Sequence, residues 1–132
     1  MVTCAASFAQ AGGIAALRGP LTSVHEMVSA WSRRRVRLVE AVNRMPGLQC
    51  QLPEGAFYAF VDVRKTGLDS TSFAKRLLET VHLAVTPGNA FGNAGEGYVR
   101  LSYAQSDAEI ERAIARLSRF VATPSLMSME PK

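Results

Sequence analysis

The sequence has few cysteines, no long apolar run and no secretory signal, the features that would indicate a disulfide-rich, membrane or secreted protein. Its 132 residues include only two cysteines, Cys4 and Cys50, and no apolar run that approaches the ~20 residues of a membrane span. Two cysteines so far apart form neither a disulfide framework nor a spaced metal site. The N-terminal segment also lacks the basic start of a secretory signal. These absences predict a cytoplasmic protein with no membrane partner.

The excess of positive over negative charge is also small. Fifteen basic residues against eleven acidic ones leave a net charge of +4, which is too small an excess to indicate nucleic-acid binding. The basic run of Arg33, Arg34, Arg35 and Arg37 does not change this, because consecutive helical residues point in different directions. It predicts a solvated helix surface with salt bridges, and no nucleic-acid partner.

Apolar residues are plentiful enough for a single domain. They make up 48% of the chain, and a chain of this size buries roughly two thirds of its unfolded surface. The alanine-rich segment 4–17 predicts a helix that needs burial on several sides. Ser23 and Glu26 have the spacing of a capping box, which predicts a long helix to about Met45.

The remaining elements alternate between strand and helix patterns. In chain order they are a short strand over 48–52, a strand over 57–63, a helix from Asp69 or Ser70, a strand over 82–86, a strand through Arg100 and a helix that starts with a capping box at Ser106. This order predicts an α+β fold, in which helices pack against a small, mostly antiparallel sheet of three to four strands.

One charged residue lies in the middle of a predicted strand. Arg100 lies in the middle of the strand-like run 98–103, and alternation places it on the face opposite Val99 and Leu101. A guanidinium on that face can hold a carboxylate through two parallel hydrogen bonds. The alternative is a solvated arginine on an exposed sheet face.

A glycine-rich loop, with glycines at 88, 92, 95 and 97, leads into this strand. Such a loop allows positive φ or a close approach to a ligand. It does not fit a phosphate loop, because a strand follows it where a helix is needed, and no lysine is present. His25 and His82 have no partners at metal-like spacing, so we expect no metal site.

Several short motifs together resemble one family. In order, they are Pro53-Glu54-Gly55-Ala56-Phe57-Tyr58, Thr86-Pro87-Gly88 with Phe91-Gly92, and Gly97-Tyr98-Val99-Arg100-Leu101-Ser102. They resemble the C-terminal portion of class I/II aminotransferases, the pyridoxal-phosphate enzymes of the aspartate aminotransferase type. The resemblance extends to about Phe120 and implies that the long helix is the family's interdomain helix. It divides the chain into an apolar lead-in over 1–19, the family's small C-terminal domain over 20–123 and a tail over 124–132, which we expect to be disordered.

The resemblance implies a substrate site without a cofactor site. Arg100 would correspond to the arginine that binds the substrate's α-carboxylate, and Phe57, Asn89, Phe91 and Gly92 would lie around the substrate. No catalytic, cofactor-binding or metal-binding residue is implied in this chain. The family's Schiff-base lysine and its ligands for the pyridine ring would precede residue 1.

The three lysines of the chain do not replace the missing one. Lys65, Lys75 and Lys132 all lie outside the segment in which the family carries its lysine. We therefore expect a fragment of a pyridoxal-phosphate-dependent aminotransferase that is inactive alone, with the cofactor held by the intact parent. Its expected partners are an amino-acid or 2-oxo-acid substrate, the missing N-terminal cofactor domain and further copies in a homo-oligomer. The alternative is a stand-alone, non-catalytic binding or interaction module with the same fold.

Overall fold

The computed structural model describes residues 4–123. Its backbone contacts divide the chain into two compact units, residues 1–30 and 31–132. The predicted tail over 124–132 lies outside the described residues, and the predicted boundaries at 19 and 123 stay predictions. No helix in the described part of the chain combines the length and apolarity that crossing a membrane requires.

The first unit is helical. Helix α1, Ser7–Arg18, confirms the predicted first helix, and none of its residues is buried. Helix α2, Thr22–Asn43, begins in this unit and continues into the second. The predicted capping box at Ser23 is wrong, because the amide of His25 already donates to the carbonyl of Leu21. Ser23 therefore lies inside the first turn rather than before it.

The second unit contains a four-stranded antiparallel sheet in the order β1-β2-β4-β3. Its elements after α2 are β1 Gln49–Cys50, β2 Tyr58–Asp62, α3 Ser70–Val81, β3 Thr86–Pro87, β4 Tyr98–Ser102 and α4 Asp107–Ala122. Short 3-10 helices occupy Arg64–Thr66, Gly88–Phe91 and Asn93–Gly95. The predicted α+β class is confirmed.

The strand predicted over 82–86 is wrong over most of its length. His82 is the C-cap of α3 and has a left-handed φ of 55°. That backbone conformation is incompatible with an extended run. Only Thr86 of the predicted strand pairs with β4.

Helices α3 and α4 start where the sequence predicted. The side chain of Asp69 accepts hydrogen bonds from the amides of Thr71 and Ser72, which caps α3. Ser106 Oγ accepts a 3.3 Å hydrogen bond from the amide of Glu109 and caps α4. Polar side chains at these positions satisfy amides that the helix itself leaves unpaired.

The core lies on one face of the sheet. Core-facing residues of β2 and β4 join apolar residues from the second half of α2, from α3 and from α4 in one buried cluster. Its fully buried members include Leu38, Val42, Val61, Phe73, Val99, Leu117 and Phe120. Because strand side chains alternate, the residues between them lie on the opposite face. That opposite face carries Tyr58, Phe60, Tyr98 and Arg100.

Two arginines of the basic run of α2 form ion pairs with α4. Arg37 binds Glu111 of α4 through two hydrogen bonds of 2.7 Å, and Arg34 pairs with Asp107 at the start of the same helix. These contacts agree with the salt-bridged helix surface expected from the sequence.

Candidate functional site

Arg100 lies at the centre of the sheet. It is opposite Phe60 of β2 on one side and opposite Thr86 of β3 on the other. Its neighbours along β4, Val99 and Leu101, are only 1% and 6% exposed, whereas Arg100 itself is half-buried. The predicted face of Arg100 is therefore confirmed. Because β4 pairs with a strand on each side, the backbone at Arg100 is held in place.

The guanidinium of Arg100 is surrounded by aromatic rings rather than by acids. Its Cζ lies 4.2 Å from the ring centroid of Tyr58 and 4.6 Å from that of Phe91. One Nη donates a long 3.4 Å hydrogen bond to Thr86 Oγ1. Within residues 4–123, no aspartate or glutamate forms an ion pair with Arg100. Most of its five N–H donors thus remain open to a ligand.

A second arginine near this face behaves differently. Arg64 also lies over an aromatic ring, with its Cζ 5.2 Å from the centroid of Tyr98. Its Nη2 and Nε, however, donate to the carboxylate of Asp62 at 2.6 and 3.0 Å. These hydrogen bonds lower the pKa of Asp62 below its usual range. Arg64 is therefore occupied by a carboxylate of the chain itself, and Arg100 is not.

The glycine-rich loop folds tightly on itself. A Cβ at Gly88 would overlap the carbonyl oxygen of Gly95, and a Cβ at Gly95 would overlap the carbonyl of Gly88. Gly92 and Gly97 have φ values of 108° and 82°, which L side chains rarely adopt. The absence of side chains at Gly88 and Gly95 thus allows two backbone segments of the loop itself to come into close contact.

Two polar residues bind this loop to the start of α3. Ser70 Oγ, which is buried, accepts hydrogen bonds from the amides of Gly97 at 2.8 Å and Tyr98 at 3.2 Å. Glu96 Oε1 accepts from the amides of Ser70 at 2.8 Å and Gly97 at 2.9 Å. The bonds to the Ser70 amide and then to the Gly97 amide lower the pKa of Glu96. The sequence did not predict this contact, because Ser70 and Glu96 are 26 positions apart and no local pattern connects them.

The predicted site residues on the loop have different surroundings. Phe91 contacts Arg100 directly. Asn89 is exposed, and its amide donates to Thr71 Oγ1 at 3.0 Å, which adds a further bond between the loop and α3. Gly92 directly follows Phe91 in the chain and donates its amide to the carbonyl of Asn89.

Phe57 meets this group through Tyr58 and, among the described residues, forms no cation–ring contact with Arg100. Its ring packs 5.2 Å from Trp31 and 4.2 Å from Tyr58, at the edge of the core. The ring that contacts Arg100 from β2 is instead that of Tyr58, which the sequence analysis did not single out. Alternation within one strand could not have found it, because the shared face of Tyr58 and Arg100 depends on how β2 and β4 are paired.

Comparison with known proteins shows which family this sequence matches. Residues 1–117 match the family described as "Aminotransferase class I and II". The chain is 41% identical over 118 residues to the "Putative aminotransferase YugH" of Bacillus subtilis, a match that covers 89% of this chain and 30% of that protein. It is 44% identical over 104 residues to the aspartate aminotransferase of Musicola paradisiaca, covering 78% of this chain and 26% of that one.

Solved structures agree with the sequence matches. The aspartate aminotransferase from Rhizobium meliloti superposes with a TM-score of 0.80 at 37% identity, covering 88% of this chain and 31% of that one. The aromatic aminotransferase from Pyrococcus horikoshii gives a TM-score of 0.75 at 43% identity, covering 79% and 28%. The chain spans less than a third of the length of each of these four proteins.

Proposed function

The chain belongs to the class I and II aminotransferases, and on this premise we propose that it is the part of such an enzyme that binds the substrate's α-carboxylate. The observation that carries the proposal is the open guanidinium of Arg100. It is fixed at the centre of the sheet, flanked by two rings and bound to no acid among the described residues. A cation held in this way is complementary to an anion that arrives from outside.

One arginine can bind both substrates of an amino-group transfer, because both carry the same carboxylate. An amino acid and a 2-oxo acid each carry a carboxylate on the carbon next to the reacting nitrogen or oxygen. A guanidinium binds both oxygens of that carboxylate through parallel hydrogen bonds, which sets the orientation of the group as well as its position. Arg100 would therefore orient the reacting carbon in the same way in both half-reactions.

The cofactor of this family is pyridoxal phosphate, which serves as an electron sink for carbanion chemistry when it is bound. The described residues do not fit its covalent attachment. Lys65 lies in the 3-10 helix after β2, Lys75 lies on the exposed surface of α3, and neither belongs to the strands that carry the Arg100 face. We therefore assign cofactor binding to other parts of the intact enzyme, and we expect the isolated chain to be inactive.

We also propose a substrate class and protein partners for the chain. The substrate class is an amino acid and a 2-oxo acid, and the rest of the enzyme would supply the cofactor domain. Self-association is supported by the exposed apolar side chains of α1, among them Phe8 at 82% and Leu17 at 89% exposure. The cytoplasmic location stays a prediction from the sequence. Among residues 4–123 there is no cluster of side chains able to hold a metal ion.

A domain exchange tests this function. In the aspartate aminotransferase of Rhizobium meliloti, the region that matches this chain would be replaced by the chain itself, and amino transfer to a 2-oxo acid would be measured. We expect activity in the hybrid, its loss in the Arg100→Lys hybrid and its retention in the Arg64→Lys hybrid. A hybrid that folds, assembles and binds pyridoxal phosphate but shows no Arg100-dependent activity would contradict the proposal.

A further inference from the structure

We propose that Tyr58 and Phe91 are positioning residues for Arg100, and that they orient its guanidinium without consuming its hydrogen-bond donors. This inference rests on the proposed carboxylate-binding function and adds to it how the binding group is held ready. The two rings come from different parts of the chain, Tyr58 from β2 and Phe91 from the 3-10 helix of the glycine-rich loop.

The cation lies over both rings. The Cζ of Arg100 is 4.2 Å from one centroid and 4.6 Å from the other. In the described part of the chain, Tyr58 and Phe91 make no ring contact with each other, although both lie this close to one carbon atom. Each ring therefore contacts the guanidinium independently of the other. Each contact lies within the ~6 Å over which a ring face attracts a cation.

Positioning by aromatic rings differs chemically from positioning by an acid. The N–H donors of a guanidinium all lie in its plane and point outward from its edges. A carboxylate that fixes the group also takes these donors, as Asp62 does with the two nitrogens of Arg64. A ring face attracts the delocalised charge and leaves the edges available. The rings beside Arg100 thus fix its charge and keep the fork open for a ligand.

Both rings are themselves held in place. Tyr58 packs against Phe57 at a centroid distance of 4.2 Å, and β2 fixes its backbone. Phe91 meets Phe60 edge to face at 5.9 Å. Its loop is bound to α3 by Ser70 and Glu96 and is closed by the contact of Gly88 with Gly95. The guanidinium is therefore oriented before any ligand arrives, which lowers the entropy cost of binding.

The experiment uses the full chain labelled with ¹⁵N and follows the arginine Nε–H signals by NMR. The Arg100 signal is identified by its loss in Arg100→Lys. Two quantities are measured: the order parameter of the Arg100 Nε–H bond without ligand, and the affinity for pyruvate at constant ionic strength. The variants are Tyr58→Leu, Phe91→Leu and the ring-retaining Tyr58→Phe. Tyr98→Leu is the matched control, because the ring of Tyr98 contacts Arg64 and Phe60 and, among the described residues, forms no cation–ring contact with Arg100.

We expect Tyr58→Leu and Phe91→Leu each to lower the Arg100 order parameter and to weaken pyruvate binding by about two- to fivefold. Tyr58→Phe should keep both values, and Tyr98→Leu should leave Arg100 unchanged. Leucine variants that melt normally and keep the wild-type order parameter would overturn the inference.

Failure of the proposed function has a different signature. In that case pyruvate leaves the wild-type Arg100 signal unmoved, while the ligand-free order parameters still decide whether the rings hold Arg100. Should Tyr58→Leu fail to fold, Phe91→Leu decides alone, since Phe91 is 52% exposed and lies outside the core.

Discussion

Gly88 and Gly95 pack backbone against backbone, and the carbonyl oxygen of each occupies the space that a Cβ on the other would need. The contact closes the loop that places Phe91 beside Arg100. Neither carbonyl belongs to a flexible side chain that could move aside. The glycines of this loop are therefore required by its own fold, in addition to any role toward a ligand.

Adding a methyl group at either position should be destabilising. We expect Gly88→Ala and Gly95→Ala each to lower the free energy of unfolding by about 1–3 kcal/mol, the usual cost of overpacking. Denaturant unfolding of the full chain measures this change. Gly55→Ala is the matched control, because nothing lies within 4 Å of a Cβ there and its φ is not positive. Equal stability of Gly88→Ala and Gly55→Ala would show that the loop relaxes freely.

Ser70 should be essential for the same loop. Ser70→Ala removes the acceptor that Ser70 Oγ offers to the amides of Gly97 and Tyr98. The Gly97 amide keeps its hydrogen bond to Glu96, whereas the Tyr98 amide loses its bond to the side chain of Ser70. We expect a loss of about 1–3 kcal/mol in the free energy of unfolding. The control is Ser118→Ala on the exposed side of α4, which should be neutral. A Ser70→Ala protein as stable as this control would contradict the role given to the hydroxyl.

Glu96 should make the fold sensitive to acid. Its pKa is lowered in the folded chain by hydrogen bonds from the amides of Ser70 and Gly97, so the folded state favours the charged form. The stability from this carboxylate is therefore present above its unfolded pKa and is lost as the pH falls through the lower, folded pKa. We expect Glu96→Gln to reduce the decline in unfolding free energy below about pH 4.5.

Chemical unfolding at a series of pH values measures the role of Glu96. Asp69, whose pKa is also lowered by its capping bonds to Ser72 and Thr71, contributes in the same direction and remains in the variant. Glu79→Gln removes the same charge from the exposed surface of α3 and serves as the control. An identical acid decline in wild type and Glu96→Gln would refute the assignment.

The apolar surface of α1 should drive self-association. Phe8 and Leu17 are 82% and 89% exposed, and exposed apolar surface of this kind favours burial against a partner. We expect light scattering to show a dimer or a larger species of the full chain, and Phe8→Ser with Leu17→Ser to reduce its mass. Leu78→Ser, at a 49% exposed position on α3, should leave the mass unchanged. A monomeric wild type at high concentration would disprove this prediction.

The sequence predicted best where structure follows from local alternation. The face of Arg100 followed from the two-residue period of β4, because Val99 and Leu101 are apolar. The starts of α3 and α4 followed from Asp69 and Ser106, whose capping bonds involve residues two or three positions away. Such features depend on short stretches of chain.

Three features of the fold and the site were not predicted. The strand predicted over 82–86 failed at His82, where the end of α3 imposes a left-handed backbone. The pairing of Ser70 with Glu96 spans 26 residues. The contact of Tyr58 with Arg100 requires the register of β2 and β4. The last two contacts have no local signal, because each is set by how separate elements pack, whereas the backbone at His82 is set by the end of its own helix.

The central claim is that Arg100 is an open carboxylate-binding group, and a pyruvate titration followed at the arginine Nε–H signals tests it most directly. Arg64, occupied by Asp62, is an internal control in the same sample. The account predicts a saturable shift of the Arg100 signal and an unmoved Arg64 signal. It also predicts that Arg100→Lys weakens binding by roughly tenfold to a hundredfold, since lysine loses the planar fork. Equal shifts at both arginines, or undiminished binding by Arg100→Lys, would contradict the account.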